Sequence, residues 1–260
     1  METAIVFPDT HIPLHDKRAW KCALKAIEIV KPDTFVHLGD VGEWGSVSHW
    51  QYKRKTRPPL EYILPSVDID FRLVNRYLDF LDDALKRAGC KRTIITQGNH
   101  DTWCDYFVEE HPYLQQYGFA NGIMAEERGY EIFTHNEKLF LGDLYLYHGD
   151  KWAGMYHGMN HLRRLGCSVM YGHHHDRQQA SHSNVHGTIN SYSIGCLKLL
   201  DNERNDWLKG RDHKWSHSIA VLYIDNGKTT VQVIPINDGT IFLNGRKYVC
   251  CDDGKVRWER

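Results

Sequence analysis

The sequence predicts an α/β fold with mostly parallel strands in its earlier part and antiparallel strands in its final third. Three observations carry this. Short apolar runs alternate with longer stretches of helical periodicity up to about residue 172. Those runs end in polar or glycine-rich loops. From residue 218 on, strand-like segments follow one another across the turn sequences Asn-Gly-Lys, Asn-Asp-Gly and Asn-Gly-Arg. The first pattern is that of a layered core built on parallel strands, and the last is that of hairpins.

Taken in order, Ala4-Ile5-Val6-Phe7 reads as a buried strand. A helix follows over about 15–31, with Ala19, Ala23, Leu24, Ile27 and Val30 on one face and Pro32 closing it. Residues 34–38 and 92–96 are the second and third strands, each before a glycine turn. Between them a helix over about 67–88 places Phe71, Val74, Leu78, Leu81 and Leu85 on one face. Strands at 144–148 and 167–172 flank a helix at about 157–165. Segments 218–225, 229–236, 240–244 and 247–251 complete the chain as antiparallel strands. No repeat, low-complexity tract or linker divides it, so a single domain over 1–260 is expected, with a loop and helical insertion at about 43–90 and closing strands at about 188–250.

Bulk composition narrows the class. With 42% hydrophobic and 25% charged residues the chain has the make-up of a folded soluble protein. No run suits a membrane span and the N-terminus lacks a secretory pattern, so an intracellular, cytoplasmic protein is expected. Seven scattered cysteines without Cys-x-x-Cys spacing point to reduced thiols, neither a disulfide framework nor a structural zinc site. A formal net charge of −1 provides no global field for nucleic acid, so any such affinity must be local.

The chemistry lies at the strand ends. Asp9 and His11 follow the first strand, Asp40 the second, Asn99 and His100 the third, His148 the fourth, and the run His173-His174-His175 the fifth. Sites in α/β sheets form beyond the carboxyl ends of strands, so these residues should converge. Carboxylate, imidazole and amide ligands suit borderline divalent ions such as manganese, iron or zinc, whereas calcium takes almost only oxygen.

The blocks Asp9-Thr10-His11, Gly39-Asp40, Gly98-Asn99-His100-Asp101, His148-Gly149-Asp150 and Gly172-His173-His174-His175 stand in the order of the motifs of the calcineurin-like metallophosphoesterases, and residues 1–180 resemble that family. The later region is similar to compact phage and bacterial members, which are related to repair exonucleases. The resemblance implies a layered α/β/β/α sandwich and two divalent ions, manganese first, with iron, zinc, nickel or magnesium as alternatives. It implies that Asp9, His11 and His175 hold one ion, that Asn99, His148 and His173 hold the other, and that Asp40 bridges them. His100 would serve the scissile phosphate, oriented by Asp101. On a strand-like segment His173 and His175 would share a face and His174 would point away.

Substrate choice should come from outside these blocks. Residues 43–59 mix Trp44, Trp50 and Tyr52 with Lys53, Arg54, Lys55 and Arg57, a combination that suits bases and phosphates. A second such stretch contains Lys209, Arg211, Lys214 and Trp215. His37 is a candidate support for the bridging residue, and Asp150 for His148. The expectation is a metal-dependent phosphodiesterase that cuts DNA or another nucleic acid. The alternatives are a phosphatase or a nucleotide or cyclic-nucleotide phosphodiesterase acting on small molecules, and a non-catalytic scaffold of the same fold. Oligomeric state is not legible.

Overall fold

Strand β1 (Glu2–Phe7) is buried from Ala4 onward on both faces, as a strand between two layers must be. The computed structural model describes all residues except Arg54, 202–204, 206–207, 211, 251–255 and 260, and for Tyr52 and 256–259 it describes the backbone alone. After β1 come α1 (Lys17–Val30), β2 (Thr34–His37), α2 (Leu60–Ala88), β3 (Arg92–Thr96), α3 (Asp101–Glu110), the short α4 (Phe119–Gly122) and α5 (Ala125–Arg128), and β4 (Tyr130–Phe133). Then follow β5 (Leu139–Leu141), β6 (Leu144–Leu146), α6 (His157–Leu165), β7 (Ser168–Tyr171), β8 (Arg177–Asn184) and β9 (Gly187–Ile194). The chain finishes with β10 (His217–Asp225), β11 (Lys228–Asn237), β12 (Thr240–Leu243), β13 (Arg246–Cys250) and β14 (Val256–Glu259).

The strands form a nine-stranded sheet, β14-β13-β12-β11-β10-β1-β2-β3-β4, and a five-stranded sheet, β5-β6-β7-β9-β8. Strands β1 to β4 pair in parallel, and β10 to β14 are antiparallel. Alternation along β1 sorts the layers. Ala4 and Val6 join Val36, Ile94, Leu144, Leu146 and Met170 between the two sheets, whereas Ile5 and Phe7 face the helical layer with Ala23, Ile27, Val74 and Leu78. On the outer side of the smaller sheet Tyr145, Tyr147, Val169 and Tyr171 pack on Leu162 of α6. The order is helix, sheet, sheet, helix, so the predicted α/β/β/α sandwich with an antiparallel final third is the fold observed.

Local sequence explains most boundaries. Asp16 caps α1, its carboxylate accepting from the Arg18 and Ala19 amides, and Lys31 ends that helix in the left-handed region just before Pro32. The hairpins β10-β11, β11-β12 and β12-β13 turn on Asn226-Gly227, Asp238-Gly239 and Asn244-Gly245, all with positive φ, as type I′ turns require.

Several expectations shift. Helix α2 begins at Leu60, about two turns before the predicted start, and carries Pro65 within its opening turns. Helix α3 and strands β4, β5 and β8 were not predicted, for α3 follows a glycine turn directly and β8 is a polar, largely exposed strand without an apolar alternation. The segment 172–176 is not a strand either, as His173 and His175 both have positive φ.

Candidate metal centre

The site stands on loops that the backbone ties together at the carboxyl ends of β1, β2, β3, β6 and β7. After β1, the Thr10 and His11 amides both donate to the Asp40 carbonyl, and the Ile12 amide donates to Val41. These bonds lock the Asp9–His11 loop to the turn after β2. That turn in turn touches the one after β3. A Cβ on Gly39 would stand 2.4 Å from the Gly98 nitrogen, and one on Gly98 would stand 2.2 Å from Asp40 Oδ1. A Cβ on Gly172 would meet Asp9 Oδ1 at 1.9 Å. The glycines of the motif blocks are therefore spacing devices that let the two aspartates lie against neighbouring backbone. His11, Asp40, His173 and His175 all adopt positive φ, a conformation that costs a non-glycine residue roughly 1–2 kcal/mol and that collects at functional sites.

Seven of the predicted residues converge. On one side Asp9 Oδ2 lies 3.2 Å from His175 Nε2, which is 3.0 Å from His11 Nε2. On the other, Asn99 Oδ1 lies 2.9 Å from His148 Nε2 and 2.8 Å from His173 Nδ1, and the two imidazole nitrogens are 3.2 Å apart. Asp40 Oδ2 belongs to both sides, at 3.6 Å from His11 Nε2 and 3.3 Å from His148 Nε2. Ligand atoms held about 2.1 Å from one ion stand roughly 3.0–3.4 Å from each other, the edge of a tetrahedron or octahedron. The spacing and the mixed N/O donor set therefore fit divalent cations, and Asp9, His11, His175 and Asp40, His148, His173 both form groups able to hold one.

Electrostatics agrees. Burial alone would lower His148, but Asp40 and Asp9 outweigh it and push its pKa up to about 10, so a cation binding here would take the place of a proton that the two carboxylates favour. Burial holds His11 and His173 down at about 4, so both are neutral at ordinary pH, the form a ligand must take. The far side of His148 donates from Nδ1 to the Leu38 carbonyl at 2.9 Å, which leaves its Nε2 for the site. His11 Nδ1 lies 2.8 Å from Glu43 Oε2, although its N–H does not point along that line.

His100 differs from these seven. Its ring packs against Trp103 with centroids 3.9 Å apart and planes tilted by 33°, and its Nδ1 is 2.9 Å from the Glu43 carbonyl oxygen. A carbonyl only accepts, so Nδ1 carries a proton and Nε2 is left for the cavity that His100 lines. That cavity, about 740 Å³, is also walled by Trp50, Trp103, Trp215 and Lys198.

Other predictions are corrected. Asp101 does not orient His100. Its carboxylate accepts from the Val41 amide at 3.1 Å, the Trp44 indole at 2.8 Å and the Gly98 amide at 3.0 Å, so it fastens the two turns that carry Asp40 and Asn99. Asp101→Ala should cost about 2–4 kcal/mol in denaturant unfolding because three buried donors lose their acceptor. Unchanged stability with lost turnover would return Asp101 to the orienting role. Trp44 is 1% exposed and packs on Phe71 and Phe119, so it cannot stack on a substrate. Trp50, by contrast, is 56% exposed. Lys53 lies over the Trp50 ring, 4.4 Å from its centroid, Lys55 is exposed, and Arg57 pairs with Glu110; none of the three lines the cavity. Arg54, Arg211 and the Tyr52 side chain lie outside the described residues. Lys209 and Lys214 are exposed, away from the cavity lining, whereas Trp215 meets His175 edge-on at 4.5 Å. Asp150 does not hold His148, whose Nδ1 goes to Leu38, and His37 braces the loop through Thr10 and the Gly39 amide.

His174 leaves both clusters by way of the turn, not by strand alternation. It stacks on His157 with centroids 3.9 Å apart and faces the Trp152 carbonyl. His157 is bound to Tyr171 and Asp176, and His161 to Tyr147 and Trp152. The nitrogens of those two rings are all engaged, which makes this second histidine group a hydrogen-bonded support for the turn.

Glu43, Trp103 and Lys198 were missed. Glu43 lies on the Asp40 loop and Trp103 one helical turn after His100, a signal visible only once α3 is known.

No family model matches the chain. It is similar to the "Gene 54 protein" of Mycobacterium phage L5 and to that of Mycobacterium phage D29, each 25% identical over 255 residues, 93% of this chain and 96% of the phage protein. Among solved structures it is similar to Vps29 from Chaetomium thermophilum, with TM-score 0.47 and 11% identity, covering 100% of this chain and 93% of that one. It is also similar to wild-type Vps29 complexed with zinc from Entamoeba histolytica, with TM-score 0.43 and 13% identity over 99% and 97% of the two chains.

Proposed function

We propose that this protein is a metal-dependent phosphoester hydrolase with two cation positions, and that its substrate is a phosphodiester of nucleic acid. The observation that carries the reading is the pair of donor clusters with near-3 Å edges that share Asp40 Oδ2. Asp9, His11 and His175 would hold one ion, Asn99, His148 and His173 the other, and Asp40 both. Ions bound there would neutralise charge on a phosphoryl group and activate a water near neutral pH.

The chain's own residues do the rest. The Glu43 carbonyl fixes the proton on His100 Nδ1 and Trp103 fixes the plane of the ring. Nε2 is thereby the atom turned to the leaving oxygen, and it would give that oxygen a proton from the doubly protonated ring. Donation of the Asp40 Oδ1 hydrogen bond from the His100 amide, at 2.8 Å, keeps that ring and the shared carboxylate in one register.

The nucleic-acid part of the reading rests on Trp50, an exposed indole on the cavity wall beside which an unstacked base could lie. Trp50→Ala should weaken single-stranded DNA binding by about 1–3 kcal/mol and leave duplex binding nearly unchanged, because duplex bases are already stacked. The competing reading, a small phosphate ester as substrate, is favoured by one observation: the described cations of the 43–59 loop do not line the cavity. Incubation with Mn²⁺ and a panel of single-stranded DNA, duplex DNA, RNA, cyclic nucleotides and chromogenic mono- and diesters decides between them. Preference for a single strand supports the first, and activity confined to small esters supports the second.

A further inference from the structure

Lys198 is the sole lysine or arginine among the described residues lining the cavity. Its side chain is 3% exposed and its ammonium lies 2.8 Å from Glu43 Oε2. Burying an ammonium is costly unless its donors are used. Of three N–H donors, one has a hydrogen-bond acceptor among the described residues. Two remain for whatever enters the cavity.

The position is built. Leu197 donates its amide to the Asp9 carbonyl, Leu199 donates to Leu14, and the Lys198 carbonyl accepts from His217 at 2.8 Å. The main chain on either side of Lys198 is thus fastened to the loop that carries Asp9 and His11. Glu43 stands between Lys198 and the cluster, 2.8 Å from His11 Nδ1 on one side and 2.8 Å from Lys198 Nζ on the other. One carboxylate oxygen in contact with both thus sets the ammonium apart from the cation position proposed at His11 Nε2, on the other side of the imidazole ring.

We infer that Lys198 receives a second phosphate of the substrate, the one adjacent to the bond that is cut. The inference rests on the hydrolase reading above and narrows it to substrates with two neighbouring phosphates, as in a nucleic-acid strand. Trp50, exposed on the wall of the same cavity, gives the intervening base a surface.

The test compares three thymidine dinucleotides: one without a terminal phosphate, one with a 5′-terminal and one with a 3′-terminal phosphate. Cleavage of the internal linkage is followed by chromatography, and binding by quenching of tryptophan fluorescence, for the unmodified protein, K198M and K198R. In the unmodified protein one terminal phosphate should lower KM and Kd about tenfold or more, the effect of a charge-assisted hydrogen bond. That ratio should fall to near one in K198M and be largely kept in K198R. Equal KM and Kd for the three dinucleotides in the unmodified protein overturns the inference without recourse to a variant, and so does an undiminished ratio in a folded K198M. If the phosphorylated dinucleotide binds more tightly through Lys198 but nothing is cut, the hydrolase reading falls and the anion site stands. If all three are cut with equal KM, the anion site falls and the hydrolase reading stands.

Discussion

Asp40→Asn is expected to empty both cation positions, because one carboxylate oxygen, Oδ2, serves both clusters. The other oxygen, Oδ1, already accepts the His100 amide. In the variant, the carbonyl oxygen of the new amide keeps that hydrogen bond, and its NH₂ is turned toward His11 and His148, where it presents hydrogens in place of a ligand. The loss of Mn²⁺ affinity should exceed the roughly 10–100-fold that changes outside the ligand shell produce. His175→Ala should instead weaken one position, since His175 contacts Asp9 and His11 but none of Asn99, His148 and His173 through its ring nitrogens. Elemental analysis after gel filtration separates the outcomes. Full occupancy of both positions in Asp40→Asn would contradict the shared role.

His100→Asn is expected to retain both ions and lose turnover by about 10²–10⁴-fold, the usual contribution of a positioned general acid. The ring is held from outside the ligand set, by the Glu43 carbonyl and the Trp103 face, so its removal should not disturb the clusters. The smallest loss should be for a p-nitrophenyl ester, whose leaving group needs no proton. Loss of metal in step with activity would place His100 among the ligands, a role its proximity to His11 and Asp40 makes worth testing.

Much of this arrangement was legible in the sequence because its signals are local. The apolar strands at Ala4–Phe7, Thr34–His37 and Arg92–Thr96 and the Asn-Gly and Asp-Gly turns of the hairpins each declare themselves within a few residues. The residues that end up in the two clusters were visible for a related reason. Parallel strands deliver their carboxyl ends to one edge, so a polar residue after each strand marks the region, while the resemblance of the motif blocks is what set the seven apart from His100 and His174.

What was not legible depends on contacts between segments far apart. Asp101 looks like a partner for its neighbour His100, but a carboxylate at the start of α3 finds the Val41 amide and the Trp44 indole across the gap between two turns. Trp44 reads as part of an aromatic, basic loop, yet its ring fills the space beside Phe71 of α2. Lys198 has no spacing rule that links it to Glu43, 155 residues earlier. The histidine run reads as a strand whose pleat would turn His173 and His175 to one face, but left-handed backbone at those two residues aims their rings instead.

Hydrolysis of bis(p-nitrophenyl) phosphate by chelator-stripped protein during titration with Mn²⁺, with bound metal measured at each step, tests the central claim most directly. Stripped protein should be inactive, and turnover should rise with bound Mn²⁺ and level off at two ions per chain. Protein that binds two ions and cleaves neither this diester nor any other phosphate ester would contradict it.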